Sequence, residues 1–363
     1  MRRSFHVMPG LVPGIHVFAA ASTAGTSPAT TALRGLCAAL TVGFAIKVTS
    51  PAHAADFYQG KTITVIVGYA PGGGVDASAR AITRHLGRFI PGRPAIVVQN
   101  MEGAAGIVSV NYLERRAAPD GLTLAVPGRS WYIEAIVKRP GIAFDPTRFA
   151  YIGSPGTVSA TAFIRTSTGI RSYDALKAAS KAVTFGALGA TTPTAMAPAL
   201  LAANGAPIKV VLGYVSTARI LLALEQGEID GSFSVGNALA SRTELFNQLT
   251  PIVQTAPIRA GVPLLRDLVH ERHRPIVDLV MAPDSIGVPL VGPPGMPADV
   301  TAVLRQAFLM MAQDKDYQAD AERVELPVGS PIDGARIADM ISALAVAATP
   351  EVVAEFNRLA GAK

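Results

Sequence analysis

Residues 62–80 read TITVIVGYAPGGGVDASAR. Thr62 to Val67 alternates threonine with branched apolar residues and then runs almost wholly apolar, the pattern of a strand buried on both faces. Tyr69 to Val75 follows with one proline and three consecutive glycines, which neither a strand nor a helix interior tolerates well. Asp76 reads as an N-cap, and Ile82, Leu86 and Phe89 fall at helical spacing behind it. Strand, glycine loop and helix N-terminus in succession make a place where backbone N–H groups converge on an anion. An ordinary βα turn has the same shape, so this stretch sets a fold class before it sets a function.

The βα rhythm continues on both sides of that unit. Ala95 to Val98 predicts a second strand ending in Asn100-Met101-Glu102-Gly103-Ala104-Ala105-Gly106, with a helix through Ile107, Val110 and Leu113 to Arg116. Leu122 to Val126 predicts a third strand leading into Gly128-Arg129-Ser130-Trp131. In a parallel sheet these three loops lie on the carboxyl edge, where open α/β folds bind ligands. Tyr151 to Ile164 changes character and reads as a crossing into a second domain. There the rhythm restarts, with Val183 to Phe185 ahead of Gly186 to Pro193 and a helix to Ala203. Ile208 to Leu212 then leads into Gly213-Tyr214-Val215-Ser216-Thr217 and a helix from Ala218 to Gln226. Glu228 to Phe233 and Pro251 to Thr255 are strand-like. Pro283 to Pro297 is proline- and glycine-rich and reads as the return crossing, with Pro297 opening a helix. Two helices close the chain, one from about Ile332 to Ala348 and one capped by Thr349 with Pro350 at its first position. The expected fold is α/β and two-lobed, with two interdomain crossings and C-terminal helices. Its boundaries are 56–155 with 285–363 for domain I and 156–284 for domain II.

The composition narrows the partners. Half of the 363 residues are apolar and 16% are charged, which excludes a disordered chain. The net charge is +6, but residues 1–55 hold four basic residues (Arg2, Arg3, Arg34, Lys47) and no acid, leaving 28 basic against 26 acidic residues in the remainder. No nucleic-acid surface is expected. Arg34, the apolar run Leu36 to Ile46 and Ala52-His53-Ala54 read as a secretory signal cleaved near Ala54/Ala55. The stretch before about Thr31 overextends such a signal, so the true start is expected downstream, near Leu33. N-terminal sequencing that recovered residues 1–30 would refute this. The single cysteine, Cys37, lies inside the signal's apolar run, which leaves the exported chain without thiol or disulfide chemistry.

Catalytic constellations are poor. Three histidines follow the leader. His85 reads as a partly exposed helical residue, and Asp267, His270, Glu271 and His273 read as a solvated polar face with no common metal spacing. Gly72-Gly73-Gly74 is not followed by Lys-Ser or Lys-Thr, so it is not a nucleotide P-loop. Gly153-Ser154-Pro155-Gly156 is one residue short of a nucleophile elbow. No enzyme, metal or cofactor is expected. The positive signal is repetition: four loops rich in small residues, two in each half, each opening a helix.

Several longer stretches carry a family resemblance. FYQGKTITVIVGYAPGGGVDASAR, VVQNMEGAAG, PDGLTL, GYVSTARILLALEQGEIDG and VGPPGMPADVTAVLRQAF, in that order from about Asp56 to the C-terminus, resemble the Bug/TctC family. Its members are periplasmic solute-binding receptors of tripartite tricarboxylate transporters. The resemblance implies a Venus-flytrap periplasmic-binding-protein fold, a small carboxylate ligand and a membrane permease partner. It also implies that two loops of the first lobe grip a carboxylate through backbone amides and ordered water. By motif match these are the loop with Gly72, Gly73, Gly74 and Asp76 and the loop with Gly103, Ala104, Ala105 and Gly106. Asp76 would cap and fix its loop. Ser130, Trp131, Thr191, Thr192, Tyr214, Ser216 and Thr217 would supply variable contacts, with a core role for Trp131 equally open. A monomer is expected.

One loop departs from the family's usual Pro-Gly-Ala-Gly-Gly. Glu102 puts a negative charge beside an anion-binding loop, and Ala105 stiffens it. A monocarboxylate, or a ligand with a cationic or polar end, is therefore expected, and unchanged ligand preference in Glu102→Gln would refute this. A receptor feeding a sensor kinase and, less well supported, an enzyme on a two-lobed fold are the alternative readings.

Overall fold

Thr62–Val67 forms strand β1, in which Ile63, Val65, Ile66 and Val67 are all buried, as the near-continuous apolar run requires. The computed structural model describes residues 57–72, 74–214, 216–235, 242–324 and 326–361. The expected leader, residues 1–55, and Gly73 lie outside the described residues. All the described residues fall within one compact unit, Thr49–Lys363.

After β1 come α1 (Gly74–Leu86), β2 (Ala95–Asn100), α2 (Ile107–Arg115), β3 (Thr123–Val126), α3 (Trp131–Ile136) and β4 (Ala150–Ser154). A second run holds β5 (Ala160–Arg165), α4 (Tyr173–Lys177), β6 (Val183–Gly186), α5 (Pro193–Ala203), β7 (Ile208–Val211) and α6 (Thr217–Gln226). It continues through β8 (Gly231–Val235), α7 (Thr243–Asn247), β9 (Leu249–Gln254), α8 (Leu265–Leu268) and α9 (Arg274–Ile286). The chain closes with β10 (Leu290–Gly292), α10 (Ala298–Ala312), α11 (Lys315–Arg323), β11 (Ile332–Asp333), α12 (Gly334–Ala347) and α13 (Pro350–Leu359).

These strands build two sheets. The six-stranded sheet has the order β11-β4-β10-β3-β1-β2 and the five-stranded sheet β7-β6-β8-β5-β9. β1 lies parallel to β2 and β3, and β6 lies parallel to β7 and β8, so each sheet has a parallel part joined by right-length βα crossovers. β10 runs antiparallel to β3 and β4, and β5 runs antiparallel to β8 and β9. The segment 155–159 leads from the first sheet to the second, and 287–289 leads back.

Some elements differ from the sequence reading. Asp76 is the third residue of α1 rather than its N-cap, and its carboxylate reaches back to the N–H of Gly72. α1 stops at Leu86, and Phe89 belongs to a separate 3-10 turn. α9 runs through Pro283 to Ile286, a stretch expected to be crossing. Its last turn is held by burial of Leu279, Val280, Met281, Ala282, Pro283 and Ile286, which overrides the local cost of the proline. Ile332 pairs with Ser154 as a strand instead of opening a helix, and Pro297 caps α10 from outside.

α9 is the central helix of the core and packs against both α5 and α12. The Trp131 ring is 1% exposed and packs on Tyr132, Phe144, Phe149 and Tyr151 at centroid separations of 5.2–6.1 Å. Of the two roles open to it, this side chain takes the core one. His85 is a half-buried helical residue, as expected, with Nε2 3.1 Å from Asp320 of α11. His273 is buried rather than solvated, between Asn204 (2.9 Å) and Glu355 (3.0 Å). Those two contacts join α5 and α13 to the start of α9.

Candidate ligand-binding site

The loops after β1, β2 and β3 lie together because the three strands are parallel neighbours ending on one edge. Their backbones interlock. Gly68 donates to Val126 O at 3.1 Å and Met101 to Val67 O at 2.8 Å. Gly106, with φ +95°, sits so close to the carbonyl of Pro127 that a Cβ there would come within 2.0 Å of its oxygen. The contact explains why this position holds the one residue type without a Cβ.

Asp76 is the fastener of the first loop. It is 2% exposed, and its Oδ2 accepts from the Gly72 N–H at 2.9 Å and from Arg80 Nε at 2.8 Å. Its Oδ1 accepts from Asn100 Nδ2 at 2.8 Å, and the same amide donates to Tyr69 O at 2.8 Å. The Arg80 hydrogen bond, with those from Gly72 and Asn100, outweighs desolvation and lowers the Asp76 pKa to about 2. An ionised carboxylate thus has its charge met from within the loop. Asn100, which the sequence reading did not single out, ties the second loop to the first.

Gly72 and Gly74 have open space where a Cβ would stand. Gly74 begins the thirteen-residue α1, and Gly106 precedes the nine-residue α2. The first N–H groups of a helix have no acceptor within it, and the helix field favours an anion beside them. In the second loop Gly103 takes φ +139° and Ala104 takes φ +45°, a left-handed conformation that costs a residue with a side chain. Glu102 is exposed. The third loop carries Ser130 at the N-terminus of α3, where its side chain makes no capping bond.

Arg129, which the sequence reading placed in this third loop without singling it out, projects from it to the end of α9. Its Nε donates to Pro283 O at 3.2 Å and its Nη2 to Asp284 Oδ1 at 2.6 Å. Asp284 is buried, and Val158 of the first crossing donates to its carbonyl at 2.9 Å. Burial pushes the Asp284 carboxyl up, against the opposing pull of Arg129. The signal for this pair was a lone acid inside an apolar, proline-rich stretch.

In the five-stranded sheet the loops after β6 and β7 meet at the matching edge. Gly213 donates to Leu188 O at 3.2 Å and Tyr214 to Ala187 O at 3.3 Å. Thr192 precedes α5, and its hydroxyl donates to Gly189 O at 2.6 Å and pairs with the Thr194 hydroxyl at 2.8 Å. Ser216 caps α6, accepting from the Arg219 N–H at 3.3 Å. Thr217 is the first residue of α6, Thr191 is half-buried beside Thr192, and Tyr214 packs on the cluster of Phe163 and Ile220. The sequence-derived residues thus gather as two loop groups, one at each sheet. A cavity of about 410 Å³ lies apart from both, between α9 and α12, lined by Leu265, Val277, Met281, Met340 and Leu344 among others.

This fold is the two-lobed α/β fold of periplasmic binding proteins. A TctC solute binding protein from Polaromonas superposes with a TM-score of 0.64 at 17% identity, over 83% of this chain and 98% of that one. MatC from Rhodopseudomonas palustris, solved with bound malate, gives 0.54 at 20% identity, over 83% and 99% of the two chains. In sequence, the chain is 40% identical to protein BugT of Bordetella pertussis over 76 residues, 21% of this chain and 22% of BugT. It is 26% identical over 196 residues to a UPF0065 protein from the tcbD-tcbE intergenic region of Pseudomonas sp. strain P51, 52% of this chain and 57% of that protein. The chain therefore spans about a fifth and somewhat over half of these two curated relatives. No family model matches it. Fold and partial sequence identity together bear out the resemblance to the Bug/TctC family.

Proposed function

We propose that this protein is an extracytoplasmic solute receptor that captures a small carboxylate and delivers it to the permease subunits of a tripartite tricarboxylate-type transporter. It acts in the periplasm as a monomer, after its leader is cleaved near Ala54/Ala55. Its lobes are residues 56–155 with 285–363 and residues 156–284, and they close on the ligand about the two crossings. A ligand that binds the closed form better shifts the population by its differential affinity.

The observation that carries this reading is the gathering of helix-opening loops at the carboxyl ends of parallel strands in both sheets. Each helix N-terminus contributes ~0.3–1 kcal/mol toward a carboxylate, and about 2 kcal/mol where partly buried. Gly72, Gly74, Gly103, Ala104 and Gly106, with Ala105 between them and Gly73 beside them, form the carboxylate grip. Ser130, Thr191, Thr192, Tyr214, Ser216 and Thr217 set selectivity, and Asp76 holds the grip in shape. The malate bound by MatC supports a carboxylate ligand. The arrangement binds its ligand without transforming it.

The test is a thermal-shift screen of the exported chain, refolded to strip carried-over ligand, against di- and tricarboxylates, aromatic acids, amino acids and nucleotides. A stabilising carboxylate is expected, since ligand at 100 times its Kd adds about 2.7 kcal/mol. A response to nucleotides alone would overturn the reading.

A further inference from the structure

Arginine carries five N–H donors in a rigid planar fork with two usable edges. In Arg129 the side edge, formed by Nε and one N–H of Nη2, is occupied by Pro283 O and Asp284 Oδ1. The end edge, formed by Nη1 and the second N–H of Nη2, has no hydrogen-bond acceptor among the described residues. The side chain is one-third exposed. Arg129 is also the only Lys or Arg in the loop segments 68–74, 100–106 and 127–130. Its neighbour Gly128 packs so close to Tyr69 of the first loop that a Cβ there would meet the ring at 2.6 Å. The guanidinium therefore hangs from the interlocked loops, with its side edge fastened to α9 and no acceptor on its end edge among the described residues.

We propose that Arg129 is a carboxylate-binding residue of this receptor, taking one ligand carboxylate on its free end edge while Asp284 and Pro283 hold the guanidinium in position. The inference rests on the solute-receptor reading and adds a charged, bidentate contact to the backbone grip. A bidentate guanidinium–carboxylate pair, two parallel charge-assisted N–H···O bonds, adds geometric specificity as well as energy. Asp284 is a positioning residue. It is buried, accepts the side edge, and receives Val158 of the first crossing on its carbonyl, so the ligand contact is mechanically joined to the segment linking the two sheets.

The experiment has two arms. In the first, the arginine Nε–H and Nη–H nuclear magnetic resonance signals of the protein are followed while sodium acetate is titrated against sodium chloride at equal ionic strength. Arg129→Lys assigns the signal. A saturable acetate-dependent shift of the Arg129 signal is expected, and identical behaviour in both salts overturns the proposal. In the second, benzoate, malate and citrate are measured by calorimetry on wild type and Arg129→Lys. Any of these that binds wild type should lose at least tenfold in affinity, with a Tm change too small to account for it. A lowered Tm with unchanged affinity means that Arg129 only staples the loop to α9, and overturns the proposal. An acetate shift at Arg129 with no panel binder leaves this inference standing and counts against the receptor reading of the panel's ligand class, so the two fail separately.

Discussion

The two groups of loops solve the same problem with different chemistry. At the six-stranded sheet the loops are locked by an ionised, buried carboxylate and by backbone packed against backbone, as in Asp76 with Arg80 and Asn100, and Gly106 against Pro127. At the five-stranded sheet the fasteners are neutral hydroxyls and single backbone bonds, as in Thr192, Thr194 and Ser216. A charge-locked, close-packed loop set holds one geometry and suits a part of the ligand that does not vary. Hydroxyls rotate and can exchange partners at small cost, which suits contacts that change from one ligand to another. On the proposed receptor reading, the contrast matches a common carboxylate grip in the first group and selectivity in the second.

The largest test of that contrast compares two glycines with similar backbone. Gly106→Ala should destabilise the fold by at least about 3 kcal/mol, because a Cβ would clash with a main-chain carbonyl that cannot rotate away. Gly213→Ala, at φ +100° with nothing within 4 Å of the added atom, should cost only the left-handed strain, about 1–2 kcal/mol. Denaturant midpoints of the two variants measure the difference. Equal losses would mean that the two loop groups are equally packed.

Next in size is the buried carboxylate. Its folded pKa is depressed from 3.8 to about 2, so its contribution is fully present above pH 4 and is lost as pH falls toward 2. Asp76→Ala should therefore cost on the order of 2 kcal/mol at pH 7, with the gap to wild type narrowing between about pH 4 and pH 2. Urea unfolding at several pH values reads this directly. A gap independent of pH would show that the lock is steric and not ionic.

The neutral group should respond more weakly. Ser216→Ala removes one helix cap and should cost about 1 kcal/mol, with no pH dependence between 4 and 2. The smallest effect has the opposite sign. Ala104→Gly should stabilise by about 0.5–1 kcal/mol, because glycine takes φ +45° without the penalty that alanine bears there. If thermal unfolding showed Ala104→Gly to be destabilising, the second loop would not be strained in the sense its backbone angle indicates.

Local sequence determined a good deal of this protein by itself. The three-glycine loop after β1 sits where strand and helix patterns meet, because no regular element accommodates that many glycines. The parallel trio β1, β2 and β3 follows from apolar runs separated by helix-length crossovers, and Thr349 with Pro350 marks the last helix by cap chemistry alone. These are short-range effects, written in consecutive residues. Only the tertiary structure decided the rest. Asp76 had the composition of an N-cap, but its partners Arg80 and Asn100 place it one turn further in, and Asn100 arrives from another strand. Pro283 looked like a helix breaker until burial of its neighbours carried α9 past it. Arg129 and Asp284 are 155 residues apart, and a lone acid in a proline-rich stretch does not say which base it will meet. A charge finds its partner through the fold, so Asp76 was legible as the anchor of its loop, but the partners that lock and orient this site became visible only when the strands had brought them together.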